Sequence, residues 1–197
     1  AAMAKPYQAT SRMKNYQATF IPPVAVDKVR YVGEAVVAIV AESRYAAEDA
    51  LSAIDVGYEP LAVLVDPETS AQSDAPKLHE DLASNVLAER EFARGEVDDG
   101  FARAAATAGT KFHFTRTTPV TIEARASVAE YDRGARALTL HCTTQIPGIL
   151  RDKLSEIFDL PGPRIRVIAP DVGGGFGGKT SLYSEEIVAC AVSRDLG

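Results

Sequence analysis

The sequence predicts an α+β chain of two units. Three observations carry this reading: a strand, helix, strand order in the first third, a switch to strand-like alternation from Lys111, and a striped helix leading through a strand into a glycine run near the end. In order, "VDKVRYVGEAVVAIVAES" (residues 26–43) predicts two strands around a turn at Gly33 and Glu34; residues 35–41 are apolar throughout, as in a strand covered on both faces. "RYAAEDALSAI" predicts a helix with Ala47, Ala50, Leu51 and Ile54 on one face and Glu48, Asp49 and Ser52 opposite. "DVGYEPLAVLVDP" predicts a strand broken by Pro60 and stopped by Pro67, and "TSAQSDA" a loop. A short helix follows, with Val97, Phe101 and Ala104 on one side, and a boundary near residue 107 divides the chain into units 1–107 and 108–197.

In the second unit "KFHFTRTT" and "TIEARASVAEYD" alternate as strands, and "RALTLHCTTQ" follows the turn "DRGA". "ILRDKLSEIFDL" places Leu150, Leu154, Ile157 and Phe158 on one helical stripe that must end by "LPGP". "RIRVIAP" alternates Arg164 and Arg166 against Ile165 and Val167, a half-buried strand. "SEEIVACAVSRDL" predicts a closing helix with Ser184 as N-cap and Glu185 and Glu186 at the positive end of its dipole.

Composition narrows the function. The 197 residues are 46 % hydrophobic and 24 % charged, the signature of a soluble globular protein with a real core. A net charge of −6 argues against a nucleic-acid surface, and no apolar run is long enough to span a membrane. The opening "AAMAKPYQATSRMKN" has the form of neither a signal peptide nor a translation start, which predicts a piece of a longer polypeptide or a processed chain. Cys142 and Cys190 lie far apart and predict two buried thiols; an iron–sulfur cluster usually needs four thiolates. His79, His113 and His141 are scattered and lack helical metal-ligand spacing.

The most informative stretch is "APDVGGGFGGKTSLYSEE", with five glycines in the six positions 173–178. Consecutive glycines accept positive φ and let a ligand lie against bare backbone, where several N–H groups converge on an anion. Residues 173–180 also fit G-x-x-x-x-G-K-T, the phosphate loop of nucleotide hydrolases. Against that reading, the run lies about twenty residues from the end of the sequence, which leaves no downstream strand for a magnesium-binding aspartate. A tight crossing of two chain segments is the purely structural alternative.

The glycine run belongs to a longer pattern. Gln145 in "TTQIP" precedes Phe176 by 31 residues, with a helix, "LPGPRIRVIAPDV" and "GGGFGGK" between and after them. This block resembles the molybdopterin-binding large subunit of the xanthine dehydrogenase, aldehyde oxidase and carbon monoxide dehydrogenase family. Residues 29–67 are similar to its a/b hammerhead domain, and "IEARASVAEYD" to the opening strands of its molybdenum-binding domain. The resemblance covers nearly all of residues 24–197 and implies a hammerhead domain, incomplete at its start, followed by the first part of the cofactor-binding domain.

The resemblance also implies roles. Gln145 would sit beside molybdenum with its side-chain amide donating to an oxo group. Phe176 and Gly177 would lay their backbone against the metal site and pterin, while Gly174, Gly175 and Gly178 leave room for the cofactor. Thr180 would lie near substrate; it stands where purine-oxidising members carry a glutamate, which argues against purine oxidation. No catalytic residue is expected within this segment, because the family's general base and the cysteine-bearing loop of its carbon monoxide branch lie downstream. The implied activity is oxidation of an aldehyde, an N-heterocycle or CO, with water as oxygen source. The implied cofactor is molybdenum–molybdopterin in its cytosine dinucleotide form. The implied partners are an iron–sulfur subunit with 2Fe-2S clusters, an FAD subunit and the remainder of the large subunit, in a cytoplasmic dimer of heterotrimers. Two other classes stay open: a P-loop ATP or GTP hydrolase, and a non-catalytic scaffold. Read from residues alone, Phe176 is a loop anchor in a core, Lys179 a solvated or backbone-bonding cation, and Glu123 with Arg125 an exposed cross-strand pair.

Overall fold

The computed structural model describes residues 4–8 and 15–196; most of the opening segment read above lies outside them. The chain is α+β, and its best-formed layer is a three-stranded sheet in the second half. β3 (Ser127–Asp132) pairs antiparallel with β4 (Ala137–Cys142), and β4 pairs parallel with β5 (Ile165–Ile168). The β3–β4 turn closes where the Ala135 N–H donates to Asp132 Oδ1 at 2.8 Å and Arg136 takes φ +50°. A parallel pair needs a crossover; α4 (Pro147–Phe158) supplies it, with Pro147 in its first turn, where a missing N–H costs nothing. Leu150, Leu154, Ile157 and Phe158 are all buried, as their i, i+4, i+7, i+8 spacing predicts. α4 packs against β5, and α5 (Ser184–Leu196) lies across β3 and β4. Register aligns Leu138 with Ile165 and Leu140 with Val167, so the central strand brings its apolar positions into the core.

β1 (Tyr7–Gln8) and β2 (Phe20–Ile21) form a two-residue antiparallel ladder, and Tyr7 joins the main core. Between β2 and β3 the described residues form three helices and no strand: α1 (Arg44–Ser52), α2 (Pro67–Ser70) and α3 (Val97–Ala102). The predicted strands at 26–43 and in "DVGYEPLAVLVDP" and "KFHFTRTT" are therefore corrected to extended chain without a ladder. The Gly33 turn does form, with φ +101° and the Glu34 N–H on the Tyr31 carbonyl, but its arms share a single backbone–backbone bond, Ala25 N–H to the Ala35 carbonyl at 2.7 Å. Strand propensity without a row of partner groups does not make a sheet. Double coverage of residues 35–41 is absent too, since Val37 and Val40 are exposed.

Local signals there hold better than packing signals. The Ser43 hydroxyl caps α1 from the Ala46 N–H, and the Asp66 carboxylate caps α2 from the Thr69 N–H with Pro67 at the first turn. Pro67 thus starts a helix, and that helix takes Thr69 and Ser70 from the predicted loop. The helical faces, by contrast, are uncovered: Leu51, Val97 and Phe101 are exposed, because no described element lies against them. Ser184 is the first residue of α5 rather than its N-cap; the cap position falls to Tyr183.

This contrast has a direct test. In the intact protein Leu154→Ala should lower stability by about 2–5 kcal/mol, since its side chain is fully buried, while Val37→Ala should stay within about 0.5 kcal/mol. Thermal or denaturant unfolding reads both, and equal effects would refute the assignment of the core to the second half.

Candidate functional site

The glycine run connects β5 to α5. It carries no packing side chain of its own except Phe176, so hydrogen bonds must set its shape. Two side-chain oxygens do so. Glu123 Oε2 accepts from the Gly173 N–H and from Lys179 Nζ, each at 2.7 Å. Gln145 Oε1 accepts from the N–H groups of Gly177 and Lys179, each at 3.2 Å. The Gln145 N–H returns a bond to the Lys179 carbonyl at 2.9 Å, and the Gly178 N–H closes a turn on the Gly175 carbonyl at 2.7 Å.

Close approach explains three of the glycines. A Cβ on Gly175 would stand 2.5 Å from Gln145 Cδ, one on Gly173 would stand 2.6 Å from Glu123 Cβ, and one on Gly178 would stand 2.9 Å from Pro119 Cγ. Gly177, at φ +90°, is different: a Cβ there would meet open space, so conformation and not crowding selects glycine. Phe176 takes φ +48°, uncommon for an aromatic residue, and its ring is exposed; the loop-anchor reading is corrected on that point.

Two further single-residue readings are corrected. Lys179 is buried, with only 1 % of its side chain exposed, and is paired with Glu123. Glu123 and Arg125 do not pair: Arg125 sends Nε and Nη2 to Glu185 Oε1 and stacks its guanidinium 3.8 Å from the centre of the Tyr183 ring. The hydrogen bond from Lys179, then the one from Gly173, hold the Glu123 carboxyl below its ordinary pKa. The phosphate-loop reading loses its geometry here. A phosphate loop aims its lysine at the ligand and opens straight into a helix, whereas Lys179 Nζ is committed inward and α5 begins only at Ser184.

The run is tied to α5 as well. The Tyr183 hydroxyl donates to the Gly178 carbonyl at 2.6 Å, and the Tyr183 N–H donates to Glu186 Oε2 at 3.0 Å, half of a capping box. Burial raises the Glu186 carboxyl to about 7. Burial also pushes Cys142 and Cys190 up to about 12, with Glu186 adding to both, so both thiols are inert buried groups, as predicted. Thr180 is exposed, and its hydroxyl donates to the Gly177 carbonyl at 2.7 Å. Beside the run, a recess of about 450 Å³ is lined by residues 118–121, Ala124, Arg125, Gly178, Lys179 and Tyr183.

What this arrangement offers a ligand follows from what it leaves unpaired. The N–H groups of Gly175 and Phe176 have no partner among the described residues. Gln145 has its carbonyl oxygen doubly occupied, and its NH2 group has no partner among the described residues. The site therefore presents neutral donors. Gln145, Gly174, Gly175, Phe176, Gly177, Gly178 and Thr180 lie close together. Glu123 was paired with Arg125 in the sequence reading, because nothing in the sequence points to a lysine 56 residues away. Tyr183 and Glu186 were missed in part; the "YSEE" spacing does carry a capping signal.

Comparison with known proteins gives the family. The molybdopterin cofactor-binding domain matches residues 78–197, and the a/b hammerhead domain of aldehyde oxidase and xanthine dehydrogenase matches residues 4–62. The chain belongs to the molybdopterin-binding large-subunit family of xanthine dehydrogenases, aldehyde oxidases and carbon monoxide dehydrogenases. It is 37 % identical over 187 residues to the carbon monoxide dehydrogenase large chain of Afipia carboxidovorans, covering 88 % of this chain and 23 % of that one. It is 36 % identical over 180 residues to the nicotine 6-hydroxylase large subunit of Paenarthrobacter nicotinovorans, covering 91 % and 22 %. The crystal structure of quinoline 2-oxidoreductase from Pseudomonas putida 86 superposes with a TM-score of 0.88 at 35 % identity, over 99 % of this chain and 25 % of that one. The chain spans about a quarter of the length of the relatives it matches. Among the described residues no helix is long and apolar enough to cross a membrane.

Glu186 generates a pH prediction. Its carboxyl binds a proton more tightly folded, near 7, than at its ordinary 4.5. Stability therefore falls as pH rises from about 4.5 to about 7 and levels off above, a span of about 3 kcal/mol. Glu186→Gln should flatten that slope and raise stability at pH 8. Unfolding curves at pH 5 and pH 8 measure it, and an unchanged slope in the variant would refute it.

Proposed function

We propose that this chain cradles the molybdopterin cofactor of a molybdenum hydroxylase. The observation that carries the reading is the set of unpaired donors: the Gly175 and Phe176 N–H groups and the Gln145 NH2 group, on a run in which Gly175 tolerates no side chain and Gly177 opens onto free space. These residues fit the group. Molybdenum–molybdopterin is rich in oxygen acceptors, and neutral donors hold such atoms without adding charge. When bound, the cofactor supplies the redox chemistry, and the chain supplies position and electrostatics.

In this reading Gln145 donates through its amide toward the metal's oxygens, its orientation fixed because the carbonyl end is held by Gly177 and Lys179. Gly174, Gly175, Phe176, Gly177 and Gly178 lay backbone along the cofactor. Thr180 lies near substrate with its hydroxyl proton engaged by Gly177, leaving oxygen lone pairs as its offering. The reaction class is oxidation of an aldehyde, an N-heterocycle or CO with water as oxygen source, completed by residues outside this segment. With two buried cysteines this segment holds no set of four cluster thiolates, which fits 2Fe-2S clusters carried elsewhere. The names of its relatives, large chain and large subunit, favour partner subunits; the reading extends these to an iron–sulfur subunit and an FAD subunit, joined with the remainder of the large subunit in a cytoplasmic dimer of heterotrimers. The cytosine dinucleotide form of the cofactor and a unit boundary near residue 107 complete the proposal.

Elemental analysis of the intact complex should find about one molybdenum and about four irons per copy of this chain. Gln145→Ala and Gly175→Ala should each lower molybdenum content while iron stays constant. A freshly isolated complex without molybdenum would overturn the proposal and leave the scaffold reading, as would full activity in both variants.

A further inference from the structure

Resting on the cofactor-cradle reading, we propose that Glu123 and Lys179 are a positioning pair that sets the Gln145 carboxamide and closes the glycine run around the cofactor. Gly173 and Lys179 stand at the two ends of the run, and one oxygen, Glu123 Oε2, holds both at 2.7 Å. Lys179 then passes that constraint on. Its N–H donates to Gln145 Oε1, and its carbonyl accepts from the Gln145 N–H at 2.9 Å and from the Thr144 hydroxyl at 3.5 Å. Moving Lys179 therefore moves both ends of Gln145, backbone and side chain.

The pair has little slack. The Lys179 side chain is 1 % exposed, and a buried ammonium without a partner is strongly disfavoured, so the lysine follows the carboxylate. Glu123 is fixed in turn: its N–H donates to the Gly173 carbonyl at 3.4 Å, and its carbonyl accepts from the Thr121 hydroxyl at 2.6 Å. The positions of Glu123 and Gly173 are locked by contact as well, since a Cβ on Gly173 would overlap the Glu123 side chain. Because the lysine charge is neutralised inside the fold, the run presents only neutral donors outward. The pair acts by placing those donors, through Gln145 and the loop backbone, and touches no reacting atom itself.

The test uses the intact complex with Glu123→Gln, Gln145→Ala and the two combined. The readouts are molybdenum content and the molybdenum(V) EPR signal of the loaded fraction. Glu123→Gln should weaken molybdenum retention about 10- to 100-fold, as loss of a supporting partner typically does, and should shift the EPR signal of the molybdenum that remains. Added to Gln145→Ala it should shift the signal by less than it does alone, because part of its effect passes through Gln145. Should Glu123→Gln fail to assemble with an unpaired lysine, Glu123→Gln with Lys179→Met removes both charges and should give the same shifted signal. A wild-type EPR signal in the loaded fraction of these variants, or effects additive with Gln145→Ala, would overturn the proposal and leave the pair a stabilising contact only. Absence of molybdenum from the wild-type complex would instead overturn the cradle reading itself, so the two failures are distinct.

Discussion

A run of five glycines and one phenylalanine has almost no side chains with which to pack, and glycine loses more freedom on ordering than any other residue. Its shape in this protein depends on two oxygens, Glu123 Oε2 and Gln145 Oε1, each accepting two hydrogen bonds from the run. Four donors are thereby drawn inward, and the remaining N–H groups at Gly175 and Phe176 have no acceptor among the described residues. The proposed cradle rests on that arrangement of free and engaged donors more than on the glycine content.

The β3–β4–β5 sheet and α4 place Gln145 beside the loop. Gln145 lies between the end of β4 and the start of α4, while the glycine run leaves the adjacent parallel strand β5. Neighbouring strands that run the same way put both exits at one end of the sheet, the place where open sheets gather ligands. Tyr183 and the α5 N-terminus then brace the far side of the run through the Gly178 carbonyl. The first half of the chain has a different character. Its helices α1 and α2 are capped by local chemistry, yet Val37 and Leu51 are exposed, as are Phe101, Phe112 and Phe114 further along before β3, so these side chains gain little burial energy from the described residues.

Lys179 shows how environment overrides motif. The octet at 173–180 satisfies the phosphate-loop pattern letter by letter, but a lysine can bind phosphate only if its ammonium is free. Here a carboxylate from a distant segment claims it, and the same letters serve a neutral loop.

Signals confined to a short window were legible in the sequence. The α4 stripe, the β3 and β4 alternation, the turns at Gly33 and residues 133–136 and the span of α1 all follow from local periodicity or from turn chemistry, whereas the link between Gln145 and Phe176 rests on the family resemblance. What tertiary structure alone decided is whether an apolar or charged residue finds a partner. Residues 35–41 read as a buried strand but have no ladder, and Lys179 read as solvated but is buried against Glu123. The reason is physical: periodicity determines which side of an element is apolar, whereas burial and ion pairing depend on segments far along the chain, whose approach leaves no mark in the local sequence.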